Sequence, residues 1–164
     1  MSVAVSRLPA RFREATVQDF ASICEIENSI YEFPWTKRVF TDCLNAGYVC
    51  MVYENAHKLF GYGVMSFVDG ECHVLNLGIE ASYQGAGWGK SFMIKLLDLA
   101  QKRKCRVVFL EVRISNKRAF SLYHDLGFNE IAVRKNYYPA SGGKRENALV
   151  LAKVMLGDKG KDKA

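Results

Sequence analysis

Three apolar segments near the middle of the chain have the patterning of β-strands. Residues 48–54, 59–68 and 71–79 read YVCMVYE, LFGYGVMSFV and ECHVLNLGI, and short polar segments separate them. The dipeptide Asp69-Gly70 favours a type I′ hairpin turn between the last two. Because consecutive strands joined by tight turns pair antiparallel, the three segments are expected to be neighbours in one sheet.

Two helices are predicted before this region, preceded by a short strand in RFREAT. Thr16, followed by Asp19 three residues later, is typical of a helix start, and the apolar residues that follow repeat at helical spacing. The segment FPW at 33–35 interrupts that helix. Thr36 then caps a second helix, which ends at Gly47.

The second half of the chain alternates between helix and strand patterns. Apolar residues from 92 to 100 keep the 3.6-residue rhythm of a helix packed on a sheet. The run RVVFLEV predicts a buried strand, Ser115 or Asn116 can cap the next helix, and Gly127 ends it. The last strands are EIAVR and NALVLAKVM. This order, β-α-α-β-β-β-α-β-α-β-β, predicts an α/β (α+β) fold with a mixed, mostly antiparallel sheet flanked by helices.

Length and composition fit one domain. The chain has 164 residues, of which 49% are hydrophobic and 24% are charged, and this balance argues against disorder. We expect residues 1–156 to form a single domain and the segment GDKGKDKA at 157–164 to be a disordered tail. No apolar run is long enough to span a membrane, and the first dozen residues lack the apolar stretch of a secretion signal, so a cytoplasmic protein is expected.

The formal net charge of +6 has two interpretations. It can be a solvated basic face, or it can serve an anionic partner such as RNA or a phosphorylated cofactor. Five cysteines form no CxxC pair, and the histidines have no metal-ligand spacing, so neither a disulfide framework nor a metal site is predicted. We interpret His57 as a turn residue, His73 as a strand residue and His124 as a surface residue.

The segment YQGAGWGKSF at 83–92 is typical of a loop that binds phosphate. A P-loop needs a glycine five residues before Gly89, but Gln84 stands there, and antiparallel strands do not suit that motif. A dinucleotide fingerprint needs its third glycine one residue later. What remains is Gln84-x-x-Gly87-x-Gly89 between a strand and a helix. It is either a nest of N–H groups for a pyrophosphate or a set of glycines that only makes a tight turn.

This loop, within this order of elements, resembles the GNAT acyltransferases over residues 11–156. In that family a Q/R-x-x-G-x-G/A loop holds the pyrophosphate of acetyl-CoA. The segments FPWT, LEVRISN, SLYHDLGFNE and RKNYYP narrow the resemblance to the RimI-type branch, which acetylates the N-terminal alanine of a small-subunit ribosomal protein. Gly85 and Lys90 stand where arginines are common. The resemblance implies the GNAT acyl-CoA N-acyltransferase fold, acetyl-CoA as cosubstrate and no metal.

The resemblance also implies which residues bind. The main chain of Leu77, Gly78 and Ile79 would contact acetyl-CoA, and Asn116 would hydrogen-bond it or serve only as a helix cap. The pyrophosphate would lie on the segment Gln84, Gly85, Ala86, Gly87, Trp88, Gly89 and Lys90. Two aromatic loops would line the acceptor groove or simply pack under loops, and they contain Phe33, Pro34, Trp35, Tyr137 and Tyr138.

Acetyl transfer from a thioester to an amine needs a base for the amine and an acid for the departing thiolate. Glu111 interrupts an apolar strand, where burial would raise its pKa toward that of a base; the alternative is a carboxylate paired with Arg113 or another cation. Tyr123 is the candidate acid, because a phenol stays protonated at neutral pH; the alternative is an aromatic filling a gap between helix and sheet. The resemblance favours catalysis for both residues and directs the Tyr123 hydroxyl to the thioester of the cofactor.

The expected function is therefore an N-α-acetyltransferase that transfers acetyl from acetyl-CoA to the N-terminal alanine of a ribosomal protein by direct attack. A GNAT enzyme for another amine, such as a protein lysine, a polyamine or an antibiotic, is the first alternative. A basic RNA- or ribosome-binding module without activity is the second. No RNA-binding signature is visible in the sequence, so neither nucleic acid nor membrane is an expected partner.

Overall fold

A computed structural model of the chain describes residues 9–56 and 58–157. The described strands are β1 (Arg11–Glu14), β2 (Val49–Asn55), β3 (Lys58–Val68), β4 (Glu71–Ile79), β5 (Val107–Arg113), β6 (Asn129–Pro139) and β7 (Arg145–Val154). The described helices are α1 (Phe20–Ile30), α2 (Lys37–Asn45), α3 (Trp88–Lys102) and α4 (Lys117–Asp125). The predicted order of elements is confirmed. His57 and residues 158–164 lie outside the described residues, so the turn at His57 and the disordered tail stay predictions.

The seven strands form one mixed sheet in the order β1-β2-β3-β4-β5-β7-β6. The pairs β1–β2, β2–β3, β5–β7 and β6–β7 are antiparallel, whereas β4 and β5 are parallel. The predicted mixed, mostly antiparallel sheet is therefore confirmed. The parallel pair arises because α3 carries the chain from the end of β4 back to the start of β5.

The predicted turn at Asp69-Gly70 and the predicted helix caps are present. Asp69 and Gly70 have φ angles of 50° and 79°, as a type I′ turn requires. The Thr16 main-chain N–H donates to Asp19 Oδ2 at 2.8 Å, which is half of a capping box. Asn116 Oδ1 accepts from a main-chain amide in the first turn of α4 at 3.1 Å, and Thr36 does the same for α2 at 3.4 Å. Local polar side chains therefore set the helix starts that the sequence indicates.

The chain divides into two compact units, and the first comprises residues up to Ser66 with Asn76–Met93. Its core is rich in aromatic rings. Tyr53 packs edge-on against Phe92 with ring centroids 4.9 Å apart, and its hydroxyl is 2.7 Å from Ser91 Oγ. This packing holds the first turn of α3 against β2.

The second unit comprises Phe67–Leu75 with the residues from Ile94 on. In β5 the side chains of Val108, Leu110 and Val112 are buried, while the residues between them are half-buried. Because successive residues of a strand point to opposite faces, Glu111 and Phe109 share the half-buried face. The face of β5 that carries Glu111 is therefore only partly covered by other residues.

Tyr137 and Tyr138 lie in β6 and not in a loop, which corrects the sequence prediction. Strand β6 is longer than EIAVR because it keeps pairing with β7 after an irregularity between Arg134 and Tyr138. Arg145, on β7, donates to the carbonyl oxygen of Tyr137 at 2.9 Å and so holds this irregular part in the sheet. Phe33, Pro34 and Trp35 do lie in a loop, between α1 and α2.

Candidate active site

The glycine segment lies between β4 and α3. Gly85 and Gly87 have φ angles of 82° and 86°, in the left-handed region that favours glycine. A Cβ atom added at Gly87 would meet no heavy atom within 4 Å, so backbone conformation and not crowding requires glycine there. The two left-handed residues turn the chain into α3, which begins at Trp88.

The first turn of α3 offers main-chain N–H groups to a ligand. The Ser91 amide donates to Gly87 O at 3.0 Å, so the amides of Trp88, Gly89 and Lys90 come before the first amide that has an acceptor inside the helix. With the positive end of the helix dipole, such amides form an anion site. Because the space beside Gly87 is open, this segment fits the pyrophosphate of a coenzyme.

Two side chains fix the end of β4, where main-chain contacts to a cofactor are predicted. Gln84 Nε2 donates to Ile79 O at 2.8 Å, and the Tyr31 hydroxyl donates to Leu77 O. A Cβ atom at Gly78 would lie 2.3 Å from the Tyr62 ring, so glycine is required there for close packing. The side chain of Gln84 thus positions β4, and the carbonyl oxygens of Leu77 and Ile79 already accept hydrogen bonds from within the chain.

The other residues of the segment differ in exposure. The Trp88 ring packs against the Phe60 ring with centroids 5.0 Å apart, so it belongs to the aromatic core. Ala86 and Lys90 are exposed. Lys90 is therefore free to approach an anionic group that lies on this loop.

A buried carboxylate anchors the loop that contains Phe33, Pro34 and Trp35. Glu27, on α1, is 2% exposed. Its Oε1 accepts from the Trp35 main-chain N–H at 3.1 Å and from Asn76 Nδ2 at 3.0 Å. The Tyr62 hydroxyl donates to Oε2. These bonds tie the loop to β3 and β4 while the Phe33 ring stays 39% exposed.

Glu111 accepts hydrogen bonds from two cations or potential cations. His73 Nε2 lies 2.5 Å from Glu111 Oε2, and Arg134 Nε lies 3.3 Å from Glu111 Oε1. The Glu111 side chain is only 7% exposed, whereas the His73 and Arg134 side chains are 31% and 53% exposed. A deep carboxylate is thus covered by two groups that reach toward solvent.

The expectation that burial raises the pKa of Glu111 is wrong in its net result. Burial does act in that direction and is the largest single influence on this carboxyl. However, the hydrogen bonds and charges of His73 and Arg134 together outweigh burial and lower the pKa of Glu111 below its ordinary value. Glu111 is therefore a carboxylate at neutral pH.

Arg113, the partner named in the sequence alternative, makes hydrogen bonds to other residues. Arg113 Nη1 donates to Pro139 O at 2.8 Å and to Glu146 Oε2 at 3.2 Å. Its guanidinium also lies over the Tyr138 ring, 4.4 Å from the centroid. A cation of β6, Arg134, pairs with Glu111, which agrees with the sequence alternative of a carboxylate paired with another cation.

Tyr123 lies on α4, half-buried, with its ring edge-on to Phe128 at a centroid distance of 5.9 Å. Burial raises the pKa of the Tyr123 phenol to about 12. Among the residues that the structure describes, its hydroxyl makes no hydrogen bond. It is therefore a protonated donor without a committed acceptor within the described chain.

Asn116 and the neighbouring residues Tyr137 and Tyr138 have groups that a ligand could contact. The Asn116 side chain caps α4 through its oxygen, and the residue is exposed. Tyr137 and Tyr138 lie edge to face, with ring centroids 4.8 Å apart, and Tyr137 is 44% exposed. The helix cap accounts for the Asn116 oxygen, while the side-chain NH₂ group remains available to a ligand.

The described residues contain neither a metal-ion cluster nor a membrane-spanning helix. No group of three His, Cys, Asp or Glu side chains in residues 9–56 and 58–157 is arranged to hold a metal ion. None of the helices in that part of the chain is both long enough and apolar enough to cross a membrane.

Comparison with known proteins places these features in a family. The profile of the acetyltransferase (GNAT) family matches residues 18–128. A protein of Haemophilus ducreyi named [ribosomal protein bS18]-alanine N-acetyltransferase is 34% identical over 135 residues, which are 82% of this chain and 93% of that protein. This chain belongs to the GNAT acetyltransferase family.

Solved structures agree with the GNAT assignment. The crystal structure of the ribosomal-protein-S18-alanine N-acetyltransferase from Escherichia coli superimposes with a TM-score of 0.84 at 30% identity, covering 92% of this chain and 97% of that one. A putative acetyltransferase from Salmonella typhimurium, solved with its cofactor acetyl-CoA, has a TM-score of 0.74 at 20% identity and covers 94% and 99%. The second likeness concerns the fold alone. The predicted GNAT fold is confirmed.

Sequence reasoning missed two residues of this GNAT chain. Glu27 occupies an apolar position of α1, four residues after Ile23 and seven after Phe20, and that spacing was a readable sign of a buried carboxylate. His73 was identified as a strand residue, which is correct, but its contact with Glu111 was not predicted. That contact depends on the parallel register of β4 and β5, which aligns His73 with Phe109 and has no local signature in the sequence.

Proposed function

We propose that the chain is an acetyl-CoA-dependent N-α-acetyltransferase that acts on the N-terminal alanine of a ribosomal protein. The main support is a relative that carries this activity in its name, at 34% identity over 82% of the chain. The glycine segment adds support of its own, because its open left-handed turn and free helix-terminal amides suit a pyrophosphate. We further propose that the protein works in the cytoplasm, where ribosomal proteins are available.

Acetyl-CoA would supply the electrophilic carbonyl carbon. The amides of Gly87, Gly89 and their neighbours would hold its diphosphate, and the main chain of Leu77, Gly78 and Ile79 would align its arm. Asn116 would donate its side-chain NH₂ to the same ligand. The amides in the first turn of α3 and the side-chain NH₂ group of Asn116 remain available for these roles in the described structure.

Glu111, with its partners His73 and Arg134, would remove the proton of the incoming ammonium group. An α-amine has a pKa of about 8, so only about a tenth is neutral near pH 7 and a base of moderate strength suffices. Tyr123 would donate its proton to the sulfur as the C–S bond breaks, because its phenol is protonated and its hydroxyl is uncommitted among the described residues. The acceptor nitrogen would attack the carbonyl directly.

Phe33, Pro34, Trp35, Tyr137 and Tyr138 would contact the acceptor peptide. The loop around Trp35 is held at its base by Glu27, and the exposed Phe33 ring projects from it. Such a combination of a fixed base and exposed aromatic rings suits an extended chain terminus.

The deciding experiment measures free thiol released from acetyl-CoA in the presence of peptides. A peptide with the N-terminal sequence of ribosomal protein bS18 should be turned over, and the same peptide with a blocked N-terminus should not. Peptides with an internal lysine, together with polyamines, serve as competing acceptors. Turnover of these alone would place the chain with GNAT enzymes for another amine, and no thiol release with any acceptor would contradict acetyl transfer altogether.

A further inference from the structure

His73 and Glu111 form a hydrogen-bonded pair that the proposed function does not explain. His73 is on β4 and Glu111 is on β5, and the parallel register places His73 opposite Phe109, two residues before Glu111 on the same face. The 2.5 Å separation of Nε2 and Oε2 is that of a short charge-assisted hydrogen bond. The imidazole is also the more exposed member, at 31% against 7%.

The pair fixes which nitrogen of the imidazole carries a proton. A carboxylate only accepts hydrogen bonds, and the pKa of Glu111 is lowered, so Glu111 is ionised. The proton in the short bond therefore belongs to His73 Nε2. In the neutral imidazole this leaves Nδ1 with a lone pair, and Nδ1 has no hydrogen-bond partner among the described residues.

We propose that His73 Nδ1 accepts the proton that the acceptor amine loses. In this proposal Glu111 orients the imidazole and stabilises its imidazolium form. This inference rests on the proposed function and assigns the base within it. The proton would reach His73 through a water molecule, so His73 does not contact the substrate directly. The arrangement uses the chemistry of carboxylate-oriented histidine bases, in which the carboxylate fixes the tautomer.

The protons and electron pairs balance without a further reactant. The ammonium group gives one proton through water to Nδ1, and the neutral nitrogen then forms the N–C bond with its lone pair while the C–S bond breaks. The nitrogen loses a second proton, which replaces the one that Tyr123 donates to sulfur. The imidazolium finally releases its proton to solvent, so the products are an amide, a thiol and one proton.

The charges around His73 allow this cycle. Glu111 faces it from β5, and on β6 Arg134 holds the other oxygen of that carboxylate, with the phenol of Tyr138 also near Glu111. On its own strand Glu71 lies two residues away on the same face. The part of β3 from 63 to 68 reads GVMSFV and carries no charged residue. One carboxylate at contact distance, Glu111, is therefore the nearest charge to the imidazole.

The first test reads the tautomer without any substrate. Nitrogen NMR of the uniformly labelled protein at about pH 8 reports the protonation of each imidazole nitrogen, and the His73 signals are assigned by their loss in His73→Gln. We expect a proton on Nε2 and none on Nδ1, and a loss of this preference in Glu111→Gln. A proton on Nδ1 in the parent protein would overturn the inference. This result does not depend on which acceptor the enzyme uses.

The second test is a pH profile of kcat/KM for His73→Gln. Glutamine can still donate a hydrogen bond to Glu111 but cannot take up a proton, so it separates the two roles. We expect a loss of about tenfold to a hundredfold near pH 6.5 that shrinks toward parent activity near pH 9, where the amine is already neutral. His124→Gln is the matched control, because His124 is exposed and stacks on Phe120.

Two kinetic outcomes would overturn the inference. Either an unchanged profile for His73→Gln or an equal loss at every pH would mean that His73 is only structural. In both cases the proposed function would still stand if the parent protein acetylates the alanine-terminated peptide. If the parent itself does not turn over this peptide, the proposed function fails, and the NMR tautomer decides about His73 separately.

Discussion

Two opposing influences determine the charge of the Glu111 side chain. Burial favours the neutral acid, while His73 and Arg134 favour the carboxylate and prevail. A carboxylate with a lowered pKa is a weak proton acceptor for an ammonium group, whose ordinary pKa is about 8. What Glu111 contributes is therefore a fixed negative charge beside His73.

Removal of this charge should reduce turnover in a pH-dependent way. Glu111→Gln keeps the volume of the side chain but cannot stabilise an imidazolium or accept a proton. We expect kcat to fall about a hundredfold at neutral pH, more at lower pH where the amine is mainly protonated, and least near pH 9. Thiol release measured across this range checks the prediction, with acetyl-CoA affinity unchanged.

The matched control for Glu111 is Glu130→Gln. Glu130 is an exposed glutamate at the start of β6, so the same change in charge should leave turnover as in the parent. If Glu111→Gln and Glu130→Gln have the same profile as the parent, Glu111 takes no part in proton removal.

Tyr123→Phe keeps the ring and removes the proton that the sulfur is proposed to receive. Since burial raises the pKa of Tyr123 to about 12, the phenol stays protonated through the alkaline assay range, and ionisation of Tyr123 should cause no loss of parent activity below about pH 10. The variant should lose about tenfold to a hundredfold in kcat at every pH.

The control for Tyr123 is Tyr48→Phe, a half-buried tyrosine just before β2. Parent-like kcat is expected for this variant in the same thiol-release assay. A rate for Tyr123→Phe that equals the Tyr48→Phe rate would show that the sulfur needs no proton donor from Tyr123.

At the scale of elements, the turn between β4 and α3 depends on backbone conformation. Gly87 has a positive φ and open space around it, so Gly87→Ala introduces strain without a clash. A non-glycine residue in this region costs about 1–2 kcal/mol, which the loop can relieve only by moving its amides. We expect the Kd for acetyl-CoA, measured by calorimetry, to rise about tenfold.

Gly142→Ala provides the comparison for Gly87→Ala. Gly142, in the turn before β7, has a φ of 72° and likewise no heavy atom within 4 Å of an added Cβ. The two variants should lose similar amounts of stability, while only Gly87→Ala weakens cofactor binding. Equal cofactor affinity in both would show that the amides near Gly87 do not hold the ligand.

Elements and their ends were predictable where local chemistry decides them. Asp69-Gly70 can adopt the positive φ angles of a type I′ turn, and Asn116 can cap a helix regardless of its distant surroundings. The extension of β6 to Pro139 was not predictable in this way. It depends on cross-strand bonds such as Arg145 to Tyr137 O, which join residues that have no common sequence pattern.

The same distinction applies to the candidate site. The glycine segment and Glu111 are visible in the sequence because each interrupts or ends a regular pattern. The partners of Glu111 come from β4, which pairs with β5 through a parallel crossover, and from β6, which is separated from β5 by β7. Since charge depends on those partners, the sequence indicated a candidate base but gave the wrong direction for its pKa.

At the scale of the whole molecule, the cysteines bear on whether the acetyl group passes through the protein. All five are free, and burial raises the pKa of each thiol, to about 12 for Cys50 and Cys72. A thiol must ionise to attack a thioester, so such cysteines are poor nucleophiles at neutral pH. The chain therefore favours direct attack by the amine over an acetyl-enzyme.

Mass spectrometry of the intact protein can test direct attack. The protein is mixed with acetyl-CoA without an acceptor, quenched in acid within one turnover time, and weighed. We expect no mass increase by an acetyl group, whereas a parallel sample with the alanine-terminated peptide should contain acetylated peptide and so prove that the protein was active. An acetyl group found on any of the five cysteines, and transferred to peptide added later, would replace direct attack with a two-step reaction. Cys24 and Cys43 are the first positions to examine for that group, because they are half-buried while the other three cysteines are buried.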